Sequence, residues 1–234
     1  RGKEHIFQWT PERRFTSGKI TMMDYNFKTV GANMKSEAEG DAKYENGDLE
    51  LYDYPGKYPA QGTGNRYANW RVDMERSGDG RYLAAGDCLS MVPGDLMQLT
   101  DHPDKSQNQR YLALRCIHSF GGQAYRATGS EMSAYQGNYE FALASKPFVP
   151  PVVTEKPYVH GPHTAVVVGD GEIHTDEHGR VRVRFHWDRK GDQSMWVRVA
   201  QVWASQNWGG IYIPRVGMEV IVNFLEGDPD QPII

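Results

Sequence analysis

The sequence predicts a mainly β protein: two β-rich regions joined by a proline-rich linker, with one short helix ahead of the first set of strands. Three observations carry this. Apolar and polar residues alternate at period two in many short runs, most strictly from Arg180 to Trp187. The chain holds 25 Gly and 13 Pro, enough to punctuate such runs with turns. One stretch only, Asn65 to Ser77, repeats at helical spacing, through Tyr67, Trp70 and Met74, with Gly78 as its stop.

Taken in order, residues 1–64 are polar and turn-rich, with short alternating pieces at Lys19–Met22 and Leu49–Tyr52. The helix follows. Residues 81–145 then read as strands: Met97 and Leu99 alternate with polar neighbours, Leu112, Leu114 and Cys116 form one face, and Tyr139, Phe141 and Leu143 close the set. Pro147, Pro150, Pro151, Pro157 and Pro162 make residues 146–162 a stiff, extended linker. Beyond it, Ala165–Val168, Val181–Trp187, Trp196–Gln201, Ile211–Pro214 and Val220–Leu225 read as five strands separated by turns. Five short strands in a segment of this size suit a small closed barrel, and the five-stranded OB-fold is the natural candidate.

Composition narrows function. With 234 residues and a net charge of −4, the chain lacks the basic excess of a general polyanion binder. No run approaches the roughly 18 apolar residues of a spanning helix. From the opening on Arg1 and the stop at Ile234, an excised piece of a longer protein is the expectation. Cys88 and Cys116 cannot build a disulfide framework and read as buried free thiols.

Several motifs invite a catalytic or binding reading. His174-Thr175-Asp176-Glu177-His178 matches the H-x-x-E-H spacing of one zinc-protease class, which needs both rings on one helical face. Here it lies between Gly171 and Gly179 and runs into a strand, so a solvated turn is expected. His160 and His163 flank Gly161-Pro162 with no third ligand nearby. Gly227-Asp228-Pro229-Asp230 reads as a tight turn rather than a cation loop. Nucleophile elbows, phosphate loops and dinucleotide fingerprints are absent, so no catalytic residue, cofactor or metal is expected. Arg180, Arg182 and Arg184 share a strand face near Trp187, Trp196 and Trp208, as in OB-folds that hold single strands. Yet residues 163–234 carry 7 Lys+Arg against 10 Asp+Glu, so acidic partners for these arginines are the favoured reading.

Extended blocks of residues carry a resemblance. His163 to Gly169, Thr175 to Asp188 (including Gly179, Arg180, Val181, Val183, Phe185, Trp187 and Asp188) and Trp196-Val197-Arg198-Val199 occur in fixed order. Ile213 to Asp230 follows, with Pro214, Arg215, Gly217, Glu219, Val220, Phe224, Gly227, Asp228 and Pro229. Together they resemble the VgrG spike proteins of type VI secretion and the OB domain of the phage tail-lysozyme spike. Upstream, Leu51-Tyr52-Asp53-Tyr54-Pro55-Gly56, Gly86-Asp87 and Arg110 to His118 resemble the phage baseplate hub. Met195 stands where the family commonly has Cys, between Ser194 and Trp196.

The resemblance implies a division into residues 1–64, connecting segments of a partial hub-like region; 65–145, a second hub-like β-barrel with a leading helix; 146–162, the linker; and 163–234, the OB-fold domain. It implies a mechanical part rather than an enzyme. Three chains would form a homotrimeric hub on the hexameric Hcp tube, with a PAAR-type tip protein and effectors carried beyond this segment. Such a part is assembled in the bacterial cytoplasm and exported by sheath contraction toward a target envelope. The quoted residues then serve as structural motif, with no nucleic acid as partner; an OB module binding nucleic acid or glycan is the alternative.

Overall fold

The computed structural model describes residues 4–121, 135–205 and 208–234. Residues 122–134, part of the stretch read as strands, lie outside the described residues. The chain divides into two compact units, Arg1–Pro151 and Val152–Ile234.

The first unit runs β1 (Ile6–Arg13), β2 (Lys19–Met22), β3 (Ser36–Glu39), β4 (Glu50–Asp53), α1 (Gln61–Ser77), β5 (Gly80–Gly86), β6 (Leu96–Gln98), β7 (Arg110–Phe120) and β8 (Tyr135–Leu143). Five strands form an antiparallel sheet in the order β1-β5-β8-β7-β6. Its inner face is aromatic. Trp9 stacks on Tyr82 at 5.5 Å and meets Tyr111 edge-on at 4.8 Å, above buried Phe141. Trp9 Nε1 donates to Gln107 Oε1 at 3.2 Å, so the indole buries its ring and still satisfies its donor.

The β1–β5 pairing carries the first strand across residue 64 into the sheet built from residues 80–143. A second, three-stranded sheet, β3-β2-β4, pairs β2 with β4 in parallel and β2 with β3 antiparallel. Ile20, Met22 and Ala38 of that sheet pack against Ala68 and Val72 of α1. Tyr58 pins the loop behind β4, its hydroxyl donating to the carbonyl oxygens of Met22 and Met34.

Helix α1 begins at Gln61, four residues before the sequence reading placed it. Gly62 and Gly64 mimic a turn signal, but Gly64 is there for close approach: a Cβ would lie 2.3 Å from Ser36 Oγ and 2.5 Å from the Tyr58 ring. The helix does end at Gly78, in ordinary right-handed geometry (φ −76°).

Strand β7 departs from the expected alternation. Tyr111 and Ala113 are buried, whereas Leu112 and Leu114, expected inside, are half-exposed. A bulge between Ala113 and Arg115 inserts one residue opposite β8 and reverses the facing, so Cys116 and His118 turn inward beyond it. Cys88 is buried and Cys116 half-buried, both as free thiols. Burial pushes the Cys88 thiol up to about 11, with the charges of Glu4 and Asp87 adding to it.

The second unit runs β9 (His163–Val168), β10 (Val181–Phe185), β11 (Met195–Val197), β12 (Trp203–Ser205), β13 (Trp208–Gly210), β14 (Glu219–Phe224) and β15 (Pro232–Ile233). Five of them form one sheet, β11-β10-β9-β14-β15. Its two edges meet: Arg198 bridges Ile233, Ala200 N–H donates to Ile234 O at 2.7 Å, and Ile234 N–H donates to Arg198 O at 2.9 Å. The sheet thus closes almost fully into a barrel and leaves little open edge. The inward residues at period two, Ala165, Val167, Val181, Val183, Val197, Val220, Val222 and Phe224, fill it.

Five strands were expected here, but one is a different segment. Ile211–Pro214 is irregular, and the fifth strand is the two-residue β15. Pro214, the last residue of that expected strand, lies in the irregular segment. Both ends of the 146–162 segment are docked within their own units. In the first unit Val149 N–H donates to Ser77 Oγ at 3.0 Å, and Arg81 lies over the Phe148 ring at 5.6 Å. In the second, Val159 N–H donates to Gly227 O at 2.8 Å.

Candidate functional site

The motif residues of the second unit fall into three structural roles. Val181, Val183, Phe185, Val197, Val220 and Phe224 are buried in the barrel, and Val199 packs half-buried against it. Each such side chain stabilises by roughly 1.5–3 kcal/mol on burial.

A second group holds turns. Gly179 adopts φ 67° just after the Asp176 turn, where Asp176 accepts the N–H groups of His178 and Arg180 at 3.0 and 2.9 Å. Asp188 accepts the N–H groups of Lys190 and Gln193, and the Gln193 contact leads in holding its carboxyl below the usual range. Gly217 adopts φ 88°, beside an Arg215–Glu172 ion pair.

Gly227 and Asp228 form the tightest of these turns. Glu226 and Gly227 both have positive φ, and a Cβ on Gly227 would lie 2.2 Å from the Tyr158 ring. Asp228, buried, accepts Asp230 N–H at 3.0 Å and Lys156 Nζ at 2.7 Å. Lys156 also reaches Asp230 Oδ2 at 2.7 Å, so the two carboxylates are bridged by a lysine rather than splayed toward a cation. Pro229 sits half-buried inside this loop.

The third group surrounds Trp196. Its indole stacks on His174 at 5.3 Å and 10° and lies beside the guanidinium carbons of Arg180 and Arg182, at 6.0 and 5.9 Å. Arg180 is also gripped by Asp176, Nε to Oδ2 at 2.6 Å, and Arg184 donates to Gly191 O at 3.1 Å. Of the three strand-face arginines only Arg180 has the expected acidic partner among the described residues; Arg184 is exposed, and Arg182 meets the Trp196 ring while its buried Nε has no hydrogen-bond partner there. Trp187, expected to continue the buried face, instead lies exposed in the turn after β10, stacked on Phe185 at 5.1 Å. Glu219, exposed on β14, lies 3.7 Å from His186.

The H-x-x-E-H segment is a turn. His174 stacks on Trp196, while His178 lies 3.5 Å from Glu177, so the rings engage different neighbours. His160 meets Tyr158 edge-on, and His163 meets Phe224. Among the described residues, no three His, Cys, Asp or Glu side chains gather as a metal site.

Sequence reasoning missed two features. The first is an ion network in the first unit, beside a cavity of about 200 Å³. Arg76 of α1, 8% exposed, reaches Asp79, 3% exposed, at 2.6 Å and Asp41 at 3.0 Å. Arg13 of β1 forks onto both Asp79 oxygens at 2.8 Å, and Lys146 reaches Asp41 at 3.0 Å. The Lys146 hydrogen bond first, then Arg76, holds the Asp41 carboxyl down at about 2. No local pattern flags it, because its members are spread from residue 13 to residue 146.

The second is a hairpin, β12–β13, reaching out between β11 and β14. Gln201 latches its base, accepting Tyr212 N–H at 2.9 Å and donating to Tyr212 O at 3.3 Å. Trp203 and Trp208 meet edge-on at 5.0 Å, and Gly209 (φ 95°) lets the strands close, since a Cβ there would lie 2.4 Å from Trp203 O. The available signal was an uncharged run from Val199 to Pro214.

Comparison with known proteins places both units. Residues 1–124 match the family model of the phage tail baseplate hub (GPD). Residues 163–234 match the type VI secretion system/phage-baseplate injector OB domain. Two curated relatives from Pseudomonas aeruginosa, type VI secretion system spike proteins VgrG1b and VgrG1a, are 37% and 38% identical over 100% of this chain, which covers 32% and 38% of theirs. The chain thus spans about a third of the length of these relatives. A solved structure of the E. coli c3393 protein, described as a type VI secretion component similar to T4 tail proteins gp27 and gp5, superposes with TM-score 0.54 at 21% identity. That alignment covers 76% of this chain and 43% of the other and bears on fold alone. By its hub and OB matches and its full-length alignment to spike proteins, the chain belongs to the family of type VI secretion VgrG spike proteins and phage baseplate hubs.

Proposed function

We propose that this chain is the hub-and-barrel segment of a type VI secretion spike. Three copies assemble on the end of the Hcp tube and act mechanically when the sheath contracts. The observation that carries this reading is the succession, in one chain, of a hub-type sheet unit and an injector-type OB barrel. Local chemistry supports it in part: Arg180 is held by Asp176, and the acidic Asp228-Asp230 turn is bridged by Lys156. The assembly would form in the cytoplasm and leave the cell as one particle, with tip protein and effectors carried beyond these residues. The quoted family residues serve in this reading to shape strands and turns.

Light scattering behind size exclusion, over a hundredfold concentration range, tests the stoichiometry. A species near three times 26.5 kDa is expected. A stable two-fold dimer would contradict the reading, because closed two-fold packing does not fit a threefold spike.

A further inference from the structure

The β12–β13 hairpin cannot be explained by its own unit. An isolated two-stranded hairpin is marginal in water, and one that shows its apolar side chains to solvent is more so. Here Val202, Trp203, Trp208, Ile211 and Tyr212 are between 53% and 95% exposed. We infer that this arm, through its described residues 202–205 and 208–212, is the clasp by which the OB unit holds a neighbouring copy of the same chain. The inference rests on the spike reading and names its contact.

Two observations choose a second copy as the occupant. The first is area. The five side chains together expose roughly 700 Å², summed over the arm. They approach the roughly 800 Å² that each partner gives a standard protein interface. The second is charge. Not one Asp, Glu, Lys, Arg or His occurs from Val199 to Pro214, although the unit around it is charged. A polyanion or an anionic lipid surface would ask for Lys or Arg beside the tryptophans, whereas the core of a protein interface is depleted of charge and enriched in Trp and Tyr. The arm is also pre-shaped. The Gln201 latch and the close strand approach at Gly209 hold it ready, which lowers the ordering cost on contact.

The test compares the 234-residue chain with Trp203→Ser/Trp208→Ser and, separately, with Val202→Asp. These side chains are solvent-exposed, and circular dichroism verifies that each variant folds. Light scattering is expected to show threefold association in the parent, with each variant needing at least tenfold higher concentration. p-Benzoylphenylalanine in place of Trp208 should give chain-to-chain photoproducts. Threefold association that both variants retain would overturn the clasp and leave the spike reading standing. A parent that stays monomeric throughout would also overturn the clasp, while binding to Hcp tubes decides the spike reading separately. Arm-dependent pelleting of the monomer with phosphatidylcholine vesicles would assign the arm to a lipid surface instead.

Discussion

Gly227 carries two constraints at once. Its φ of 68° is left-handed, and the Tyr158 ring occupies the space a Cβ would take. Gly227→Ala should therefore cost more than about 2 kcal/mol, from backbone strain plus displacement of the ring; denaturant unfolding of the chain measures it. Asp79 poses the opposite case, a buried carboxylate shared by Arg13 and Arg76. Asp79→Ala leaves the Arg76 guanidinium buried with only part of its partner set and should cost about 3 kcal/mol in the first unit. Asp41 makes its effect depend on pH. Its folded pKa of about 2 lies below the ordinary 3.8, so its contribution is fully present above about pH 4 and fades as pH falls through 2. At this half-exposed site it amounts to about 1 kcal/mol. Asp41→Asn should remove that amount at pH 6 and almost none near pH 1.5, as read by thermal melts across the range.

At the scale of elements, what was legible depended on whether the deciding contact was local. Strand β10 was readable because Val181, Val183 and Phe185 keep strict period two and the barrel buries one face. The start of α1 was not, because Gly62 and Gly64 signal a turn locally while Tyr58 and Ser36, brought up from elsewhere, demand a glycine. Strand β7 misled for a related reason. Its bulge depends on pairing with β8, and both alternation phases offer apolar residues. Deleting Leu114, the extra residue of the bulge, should restore plain alternation in the existing register and leave Cys116 and His118 facing inward. Reactivity of Cys116 toward a thiol reagent should then stay as low as in the parent, whereas a rise would show that the strand had slipped its register. The fifth barrel strand was missed because two residues, Pro232 and Ile233, are too short for any pattern; they pair only because Phe224 and Asn223 lie beside them. The segment chosen in its place, Ile211–Pro214, was apolar enough for a strand but belongs to the arm and its return. Among the motif residues, the turn glycines and core valines could be read as architecture, whereas the stacking of Trp196 with His174 needed the folded barrel.

For the whole molecule, the argument is one of surplus and closure. The second unit brings its barrel edges together through Arg198, Ala200, Ile233 and Ile234, which leaves little of the barrel sheet open to strand addition. In the proposed assembly side-chain surfaces would then carry the contact, and the arm offers one free of charged residues. The first unit is bound together by its spread ion network and aromatic face. Negative-stain electron microscopy of the chain mixed with purified Hcp tubes tests this account most directly. The account predicts added density with threefold symmetry at one end of the tubes. Bare tube ends at a chain concentration where light scattering already shows the threefold species would contradict it.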